Sequence, residues 1–265
     1  MDSKGARMAS GCLVSAAEAA ERGLAYINPR PCECEWCGRA LKPLGAVLNG
    51  RVAWVSHEEC GCEASLAAAA EEEARKAEEH ERAGVSRLLA AGIPKRFLDA
   101  PIRVQACERY LLEFGDNPER GLYIHGGVGT GKTELASALA RRFVEAGYRT
   151  RLTTTIGMLE RIRETYGNEA SSLEACKLFG KCDVLILDDL GKENSSAWSV
   201  MTLFHLVNMR YEEMLPTIVT SQYDPSRLSA RIGRGGERET AESVASRIVG
   251  MSMTVRLLGT DRRRI

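Results

Sequence analysis

The chain lacks net charge and long apolar runs, and each absence narrows what it can be. Lys plus Arg and Asp plus Glu both number 36 in 265 residues. A uniformly basic, nucleic-acid-coating surface is therefore excluded, and any contact with a polyanion has to be local. No stretch approaches the roughly 20 consecutive apolar residues of a membrane-spanning helix, so no membrane partner is expected. Internal repeats are absent, and the one biased tract is the Ala- and Glu-rich stretch from Glu63 to Ala91. The weakly apolar segment Met8 to Ala20 contains Glu18 and runs into Glu21, so it reads as a short surface helix and not a signal peptide.

Cysteine, in contrast, is plentiful. Five of nine lie between Cys32 and Cys62. Disulfides at that density belong to small secreted chains, whereas the nucleotide motif described below places the protein in the cytoplasm, so metal ligation is the better account. Cys34-x-x-Cys37-Gly38 followed by Cys60-x-Cys62 offers two close ligand pairs, and four thiolates suit tetrahedral Zn²⁺. Cys32 and His57 are spare candidates for one of the four positions. A block this short has too few apolar residues to fold on its own core, so metal would supply much of its stability. Trp36 and Trp54 are read as packing it, and Asn49-Gly50 between Ala46-Val47-Leu48 and Val52-Ala53-Trp54-Val55 signals a hairpin. Cys12, Cys107, Cys176 and Cys182 are scattered and read as small core residues.

Four segments are expected: an N-terminal stretch over 1–30, a zinc-binding module over 31–63, a linking helix over 64–92, and an ATPase domain over 93–265. The linking helix carries Glu71/Arg75, Glu72/Lys76 and Glu78/Arg82 at i, i+4 spacing, and Gly92-Ile93-Pro94 ends it. Beyond it, helical and strand patterns alternate. Helices are expected over Gln105–Phe114, Thr133–Ala146, Gly157–Tyr166, Ser196–Met214 and Ala241–Val249, with strands over Leu122–His125, Thr150–Thr154, Val184–Leu187, Thr217–Thr220 and Thr254–Leu258. That order predicts an α/β domain with a parallel sheet covered by helices.

Gly126-Gly127-Val128-Gly129-Thr130-Gly131-Lys132-Thr133 fits G-x-x-x-x-G-K-S/T at every fixed position, between a strand pattern and a helix pattern. Backbone N–H groups must converge on phosphate oxygens, and glycine permits both the positive φ angles and the close approach this requires. Lys132 would reach the β- and γ-phosphates of ATP and Thr133 would hold Mg²⁺. The apolar run Val184 to Leu187 closes in Asp188 and Asp189. Asp188 would bind the magnesium, directly or through water, and Asp189 would orient or deprotonate the attacking water. Thr220 and Gln222 end another apolar run, where they would sense the γ-phosphate or hold that water. Trp198 is read as core. Residues after Tyr223 hold nine Arg or Lys against five Asp or Glu, and Gly233-Arg234-Gly235-Gly236 reads as a flexible basic turn.

The two phosphate motifs, Asn208-Met209-Arg210-Tyr211 ahead of Leu215-Pro216-Thr217, the Thr220-Ser221 strand end and Ser246-Arg247-Ile248 together resemble the DnaC/DnaI/IstB family of AAA+ ATPases, from about Ile93 onward. The resemblance implies an ATPase that self-associates through its ATP interface, with Arg247 as an arginine finger acting in trans and Arg263 as a second sensor, Arg264 being the neighbouring alternative. It implies loading of a replicative hexameric DNA helicase onto single-stranded DNA, and a zinc module that contacts the helicase, as in DnaI-type loaders. An IstB-like transposition helper, or a nucleotide-gated adaptor that scarcely hydrolyses, are the alternatives. Two departures stand out: Gln222 occupies a place the family commonly gives to Asn, and Asp189 one where many AAA+ proteins carry Glu, which suits slow hydrolysis.

Overall fold

The structure is a computed structural model and describes residues 13–165 and 169–259. Two compact units divide at Glu81/Arg82, inside one long helix.

In the first unit, β1 (Val14–Ser15) leads into α1 (Ala16–Glu21), and β2 (Ala25–Tyr26), β3 (Cys32–Glu33), β4 (Ala40–Leu41), β5 (Pro43–Leu48) and β6 (Arg51–His57) follow. The sheet order is β1-β5-β6-β2, and β3 pairs with β4 alone. Asn49 (φ 51°) and Gly50 (φ 76°) make the tight turn between β5 and β6, since a two-residue hairpin of this hand needs positive φ at both positions. Of the expected surface helix over Met8 to Ala20, residues 8–12 lie outside the described residues; α1 starts after Ser15, which accepts the Glu18 N–H while the Glu18 carboxylate accepts the Ser15 N–H. Trp36 is 54% exposed and does not pack the block, a correction to its expected role. Trp54 does pack, edge-on to Tyr26, with its indole N–H donating to the Ile27 carbonyl at 2.6 Å.

Helix α2 (Glu63–Ala90) crosses the division and buries none of its residues. Arg75 pairs with Glu72 and Glu79 and not with Glu71, while Glu72 also takes Lys76. Among the described residues no helix is long and apolar enough to cross a membrane.

The second unit continues with α3 (Gln105–Glu113), β7 (Gly121–Gly126), α4 (Lys132–Glu145), β8 (Thr150–Thr154), α5 (Thr155–Glu164), α6 (Glu169–Gly180), β9 (Val184–Leu190), α7 (Ala197–Glu212), β10 (Thr217–Ser221), α8 (Pro225–Ile232), α9 (Arg238–Gly250) and β11 (Ser252–Leu257). The five strands run β11-β7-β10-β9-β8, every pair parallel. Both faces are covered, which is why the strands read as unbroken apolar runs. Leu122, Ile124, Val184, Ile186 and Ile218 pack on α3 and α4, while Tyr123, Leu185, Leu187 and Val219 pack on the helices of the other face. Alternation along each strand divides the two cores. The expected alternating α/β architecture is what the chain adopts.

The edge strand β8 is shielded. Leu152 N–H donates to the Ala91 carbonyl at 2.7 Å. A Cβ on Gly92 (φ 95°) would lie 2.0 Å from the Leu152 carbonyl, so only glycine lets the helix end approach this closely. The supposed flexible turn at Gly233 is in fact a short 3₁₀ segment, with Gly233 buried and Gly235 N–H held by Ser195 Oγ at 2.9 Å. Its expected freedom is therefore corrected.

Candidate functional site

Topology brings three strand ends together. The phosphate loop follows β7, the acidic pair ends β9, and β10 lies between them. In parallel α/β sheets the carboxyl ends of the strands are where ligands gather.

Gly131 (φ 88°) is the residue from which α4 starts, and Gly129 (φ 74°) bends the loop ahead of it. Gly126 ends β7 so near β11 that a Cβ would fall 2.4 Å from the Leu257 carbonyl. Thr130 clasps the loop by donating to the Gly127 carbonyl at 3.0 Å. Lys132 is buried, and its ammonium donates to the carbonyls of Gly126 at 2.9 Å and Gly127 at 2.7 Å. The cation thus already spans the cradle where an anion would sit, at the start of a helix whose dipole favours negative charge.

Asp188 is 4% exposed. Thr133 Oγ1 donates to its Oδ2 at 2.8 Å, and Thr220 Oγ1 donates to its Oδ1. Burial pushes the Asp188 pKa up, with the two hydroxyls opposing that push and Asp189 adding to it. A buried carboxyl served by hydroxyls, beside the first turn of α4, is an all-oxygen donor set that suits a hard cation such as Mg²⁺. Thr155 Oγ1 donates to the Asp188 carbonyl at 3.4 Å.

Asp189 has φ 60°, an uncommon conformation for a residue with a Cβ and one that costs of order 1–3 kcal/mol unless its surroundings hold it. Its N–H donates to Thr220 Oγ1 at 2.9 Å, and its carboxylate pairs with Lys192 at 2.7 Å. Thr220 therefore braces both acids with one hydroxyl. Gln222 lines a cavity of about 240 Å³ together with Val128, Gly129, Gly131, Lys132, Thr133 and Asp189. Arg96 and Phe97 close the cavity from a 3₁₀ turn, the guanidinium 4.5 Å from the ring centre.

Sequence reasoning did not find Lys192, Arg96, Phe97 or Thr155. The fold and not the spacing delivers Arg96 and Phe97 to the pocket and Thr155 to the Asp188 carbonyl, while Lys192, three residues past Asp189, belongs to no motif. It also missed Glu193, which is buried, accepts the Gly191 N–H at 2.7 Å and has its pKa pushed up by that burial.

Arg247 lies outside its own chain's pocket. It sits on α9 between the rings of Phe204 (5.2 Å) and Tyr211 (5.6 Å), with Nη1 donating to the Ser243 carbonyl at 3.2 Å and Nε buried without a partner. Arg263 and Arg264 fall outside the described residues.

In the first unit Cys34, Cys37, Cys60 and Cys62 bring their sulfurs within 4.8 Å of one another, and neither Cys32 nor His57 belongs to that group. The pairs Cys34/Cys62 and Cys37/Cys60 are 3.8 and 3.4 Å apart. Four sulfurs at about 2.3 Å from a tetrahedral zinc would be about 3.8 Å apart, so the cluster has the dimensions of the ion's ligand shell. The backbone N–H groups of Cys37 and Trp36 hold the Cys34 thiol down at about 6, so that it favours the thiolate form that binds metal, while Cys60, despite the Cys62 N–H, is pushed up by its neighbours Cys37 and Cys34 and by burial.

The family described as IstB-like ATP binding protein matches residues 110–264. The replicative helicase loader DnaI of Bacillus subtilis is 26% identical over 149 residues, 54% of this chain and 48% of that one. An ATP-binding protein of insertion sequence IS5376 from Geobacillus stearothermophilus is 32% identical over 114 residues, 43% of this chain and 44% of that one. The chain thus spans about half the length of these curated relatives. A crystal structure of DnaI superposes with a TM-score of 0.52 at 26% identity, covering 62% of this chain and 94% of that one.

Proposed function

The chain belongs to the family of IstB-like ATP-binding proteins, and we propose that it is an ATP-dependent loader of a hexameric replicative DNA helicase, acting in the cytoplasm on single-stranded DNA. The observation that carries the ATP reading is the convergence of the phosphate loop, the Thr133–Asp188 contact and the Thr220 brace on one pocket. The likeness to the loader DnaI favours the helicase as partner.

In this reading Lys132 and the loop N–H groups hold the β- and γ-phosphates, and Thr133 and Asp188 hold Mg²⁺, which neutralises charge on the phosphate oxygens. Asp189 orients the attacking water once Lys192 leaves its carboxylate. Gln222, beside it in the cavity, contacts the γ-phosphate or that water. Arg247 reaches the phosphates of a neighbouring copy, and Arg263 serves as the second sensor. The first unit, with zinc held by Cys34, Cys37, Cys60 and Cys62, is the part that grips the helicase. With Asp where a longer carboxylate would reach further, turnover is slow and waits on DNA or partner.

Lys132→Ala tests the core of the proposal. Fluorescent ATP-analogue binding should fall by at least tenfold and helicase loading should be lost, with the melting temperature little changed. A variant that binds nucleotide as tightly as the wild type and still loads helicase ends the proposal. A transposition helper is the second reading, favoured by the likeness to the insertion-sequence protein. Capture of a purified transposase, and not of a purified helicase, would select it.

A further inference from the structure

A second cavity, of about 480 Å³, lies at the other end of the strands that carry the nucleotide site. Thr150 begins β8, and the last residue of that strand, Thr154, pairs with Asp188. Four strand steps put about 13 Å between the two ends. Five cations line this cavity, Arg87, Arg149, Arg151, Lys177 and Lys181, and no carboxylate does. In a chain whose charges otherwise balance, that is a local concentration of one sign.

Part of it has a structural account. Helices α2, α4 and α6 all end here, and helix C-termini attract cations. Arg151 donates to the Ala90 carbonyl at 2.6 Å, Arg149 pairs with Asp183, and Lys181 pairs with Glu213. Arg87 and Lys177 sit in the last turns of α2 and α6, yet both are exposed and make no hydrogen bond or ion pair among the described residues, so neither is tied to a carbonyl or an acid. Tyr148, 38% exposed, stands at the same cavity with its ring fixed edge-on by Phe114 and Phe143.

We propose that this cavity is a docking site for single-stranded nucleic acid, in which Arg87 and Lys177 neutralise backbone phosphates and Tyr148 offers a stacking face. A pinned aromatic beside uncommitted cations is the combination that holds a single strand without reading its sequence. The volume exceeds that of one phosphate, and the cations come from three separate elements, which fits a chain passing through. This inference rests on the DNA-binding part of the proposed function and is independent of ATP turnover.

The test is fluorescence anisotropy of labelled oligo-dT on the full chain over a salt series, with nucleotide binding measured on the same samples. Arg87→Ala combined with Lys177→Ala should weaken oligo-dT binding about tenfold, and two lost phosphate contacts should make the log–log salt slope shallower by about 1.4. Tyr148→Leu should weaken binding without changing that slope, and ATP-analogue affinity should stay as in the wild type throughout. Arg227→Ala combined with Arg238→Ala, which removes exposed cations from the basic stretch after Tyr223, should leave oligo-dT binding intact. Unchanged affinity and slope in the Arg87/Lys177 variant overturn the proposal, as does a loss confined to the Arg227/Arg238 variant. Competition by poly-glutamate as effective as by unlabelled oligo-dT also overturns it, in favour of an acidic protein segment. A wild-type chain that binds the ATP analogue but no oligo-dT sinks the cavity assignment and leaves the nucleotide reading standing.

Discussion

Arg210 shows how much of this molecule depends on groups that a sequence does not advertise. It is 1% exposed and pairs with no carboxylate among the described residues. Its guanidinium donates instead to Thr217 Oγ1 (2.9 Å) and to the carbonyls of Phe179 (3.0 Å), Cys182 (2.8 Å) and Pro216 (2.6 Å). One side chain on α7 thereby ties together the end of α6, the approach to β9 and the start of β10. Burial lowers its pKa, yet several oriented acceptors compensate the charge. Arg210→Met would take a donor from each of those carbonyls, Pro216 keeping only the long Leu185 N–H bond (3.4 Å) and Phe179 the Cys182 thiol (3.3 Å) among the bonds described, and a buried acceptor left unmatched costs about 1–3 kcal/mol. A total loss of about 3 kcal/mol lowers the melting temperature by roughly 6–12 °C in a domain this size, measured by circular dichroism. Arg210→Lys should recover less than half, because an ammonium has no planar fork to span three carbonyls. In the sequence Arg210 was legible only as part of a family-like stretch. Asp188, Asp189 and Lys132 could be singled out as candidates because the pattern that marks them is local: a strand end, a loop, a helix start. Thr220, expected only as a phosphate or water contact, comes to brace both acids once β9 and β10 lie side by side, and Lys192 pairs with Asp189 three residues earlier without belonging to any motif.

Among the elements, strands and helices of strong period were readable to within a few residues, and Thr150–Thr154 matches β8 residue for residue. What escaped was of two kinds. Helix α8 had its signal, Asp224 capping and Pro225 in the first turn, but is only two turns long and polar on one side. Helix α6 spreads its apolar residues (Ala170, Leu173, Ala175, Cys176, Leu178, Phe179) among Glu, Ser and Lys with no single helical stripe, so periodicity could not mark it. The two-residue strands β3 and β4 have no pattern at all. Their pairing brings Cys34 N–H onto the Arg39 carbonyl at 2.8 Å and shapes the knuckle that offers Cys34 and Cys37 together. So little apolar surface is buried in this unit, with Val14, Ala19 and Val52 as its small core, that metal is the expected source of order around the cysteines. Purified protein should carry about one zinc per chain by elemental analysis. Cys34→Ser with Cys37→Ser should abolish it, and chelator treatment of the wild type should make the cysteine block protease-sensitive. Nucleotide binding, built wholly in the second unit, should survive the double substitution, and should survive chelation once Mg²⁺ is added back after the chelator is removed. A metal-free wild type with a protease-resistant first unit would remove the zinc assignment.

At the scale of the whole molecule, the proposed function leaves the pocket incomplete in a single copy. It contains one loop lysine, one acid proposed to bind magnesium and one proposed to orient water, yet the arginine proposed to meet developing charge on the phosphates lies outside that cavity. Arg247 is sandwiched between Phe204 and Tyr211 with its Nε unpartnered, a geometry that keeps the guanidinium stacked and oriented without consuming all of its donors. An arginine placed this way serves a site only if a second copy packs head-to-tail against the first, and such an interface repeats into a ring or filament. The consequence is testable by mixing. Lys132→Ala alone should fail to bind nucleotide, and Arg247→Ala alone should bind it with normal affinity yet show DNA-stimulated turnover reduced by a factor of about 10³. In an equimolar mixture about a quarter of head-to-tail interfaces pair an intact Lys132 pocket with an intact Arg247, and turnover should recover to about that fraction of the wild type. A finger acting within its own chain predicts no recovery at all, since every chain in the mixture then carries a broken site. The mixed sample also separates assembly from chemistry: if Arg247→Ala hydrolyses like the wild type by itself, the stacked arginine is a packing group of α7 and α9, and the nucleotide pocket needs no neighbour to complete it.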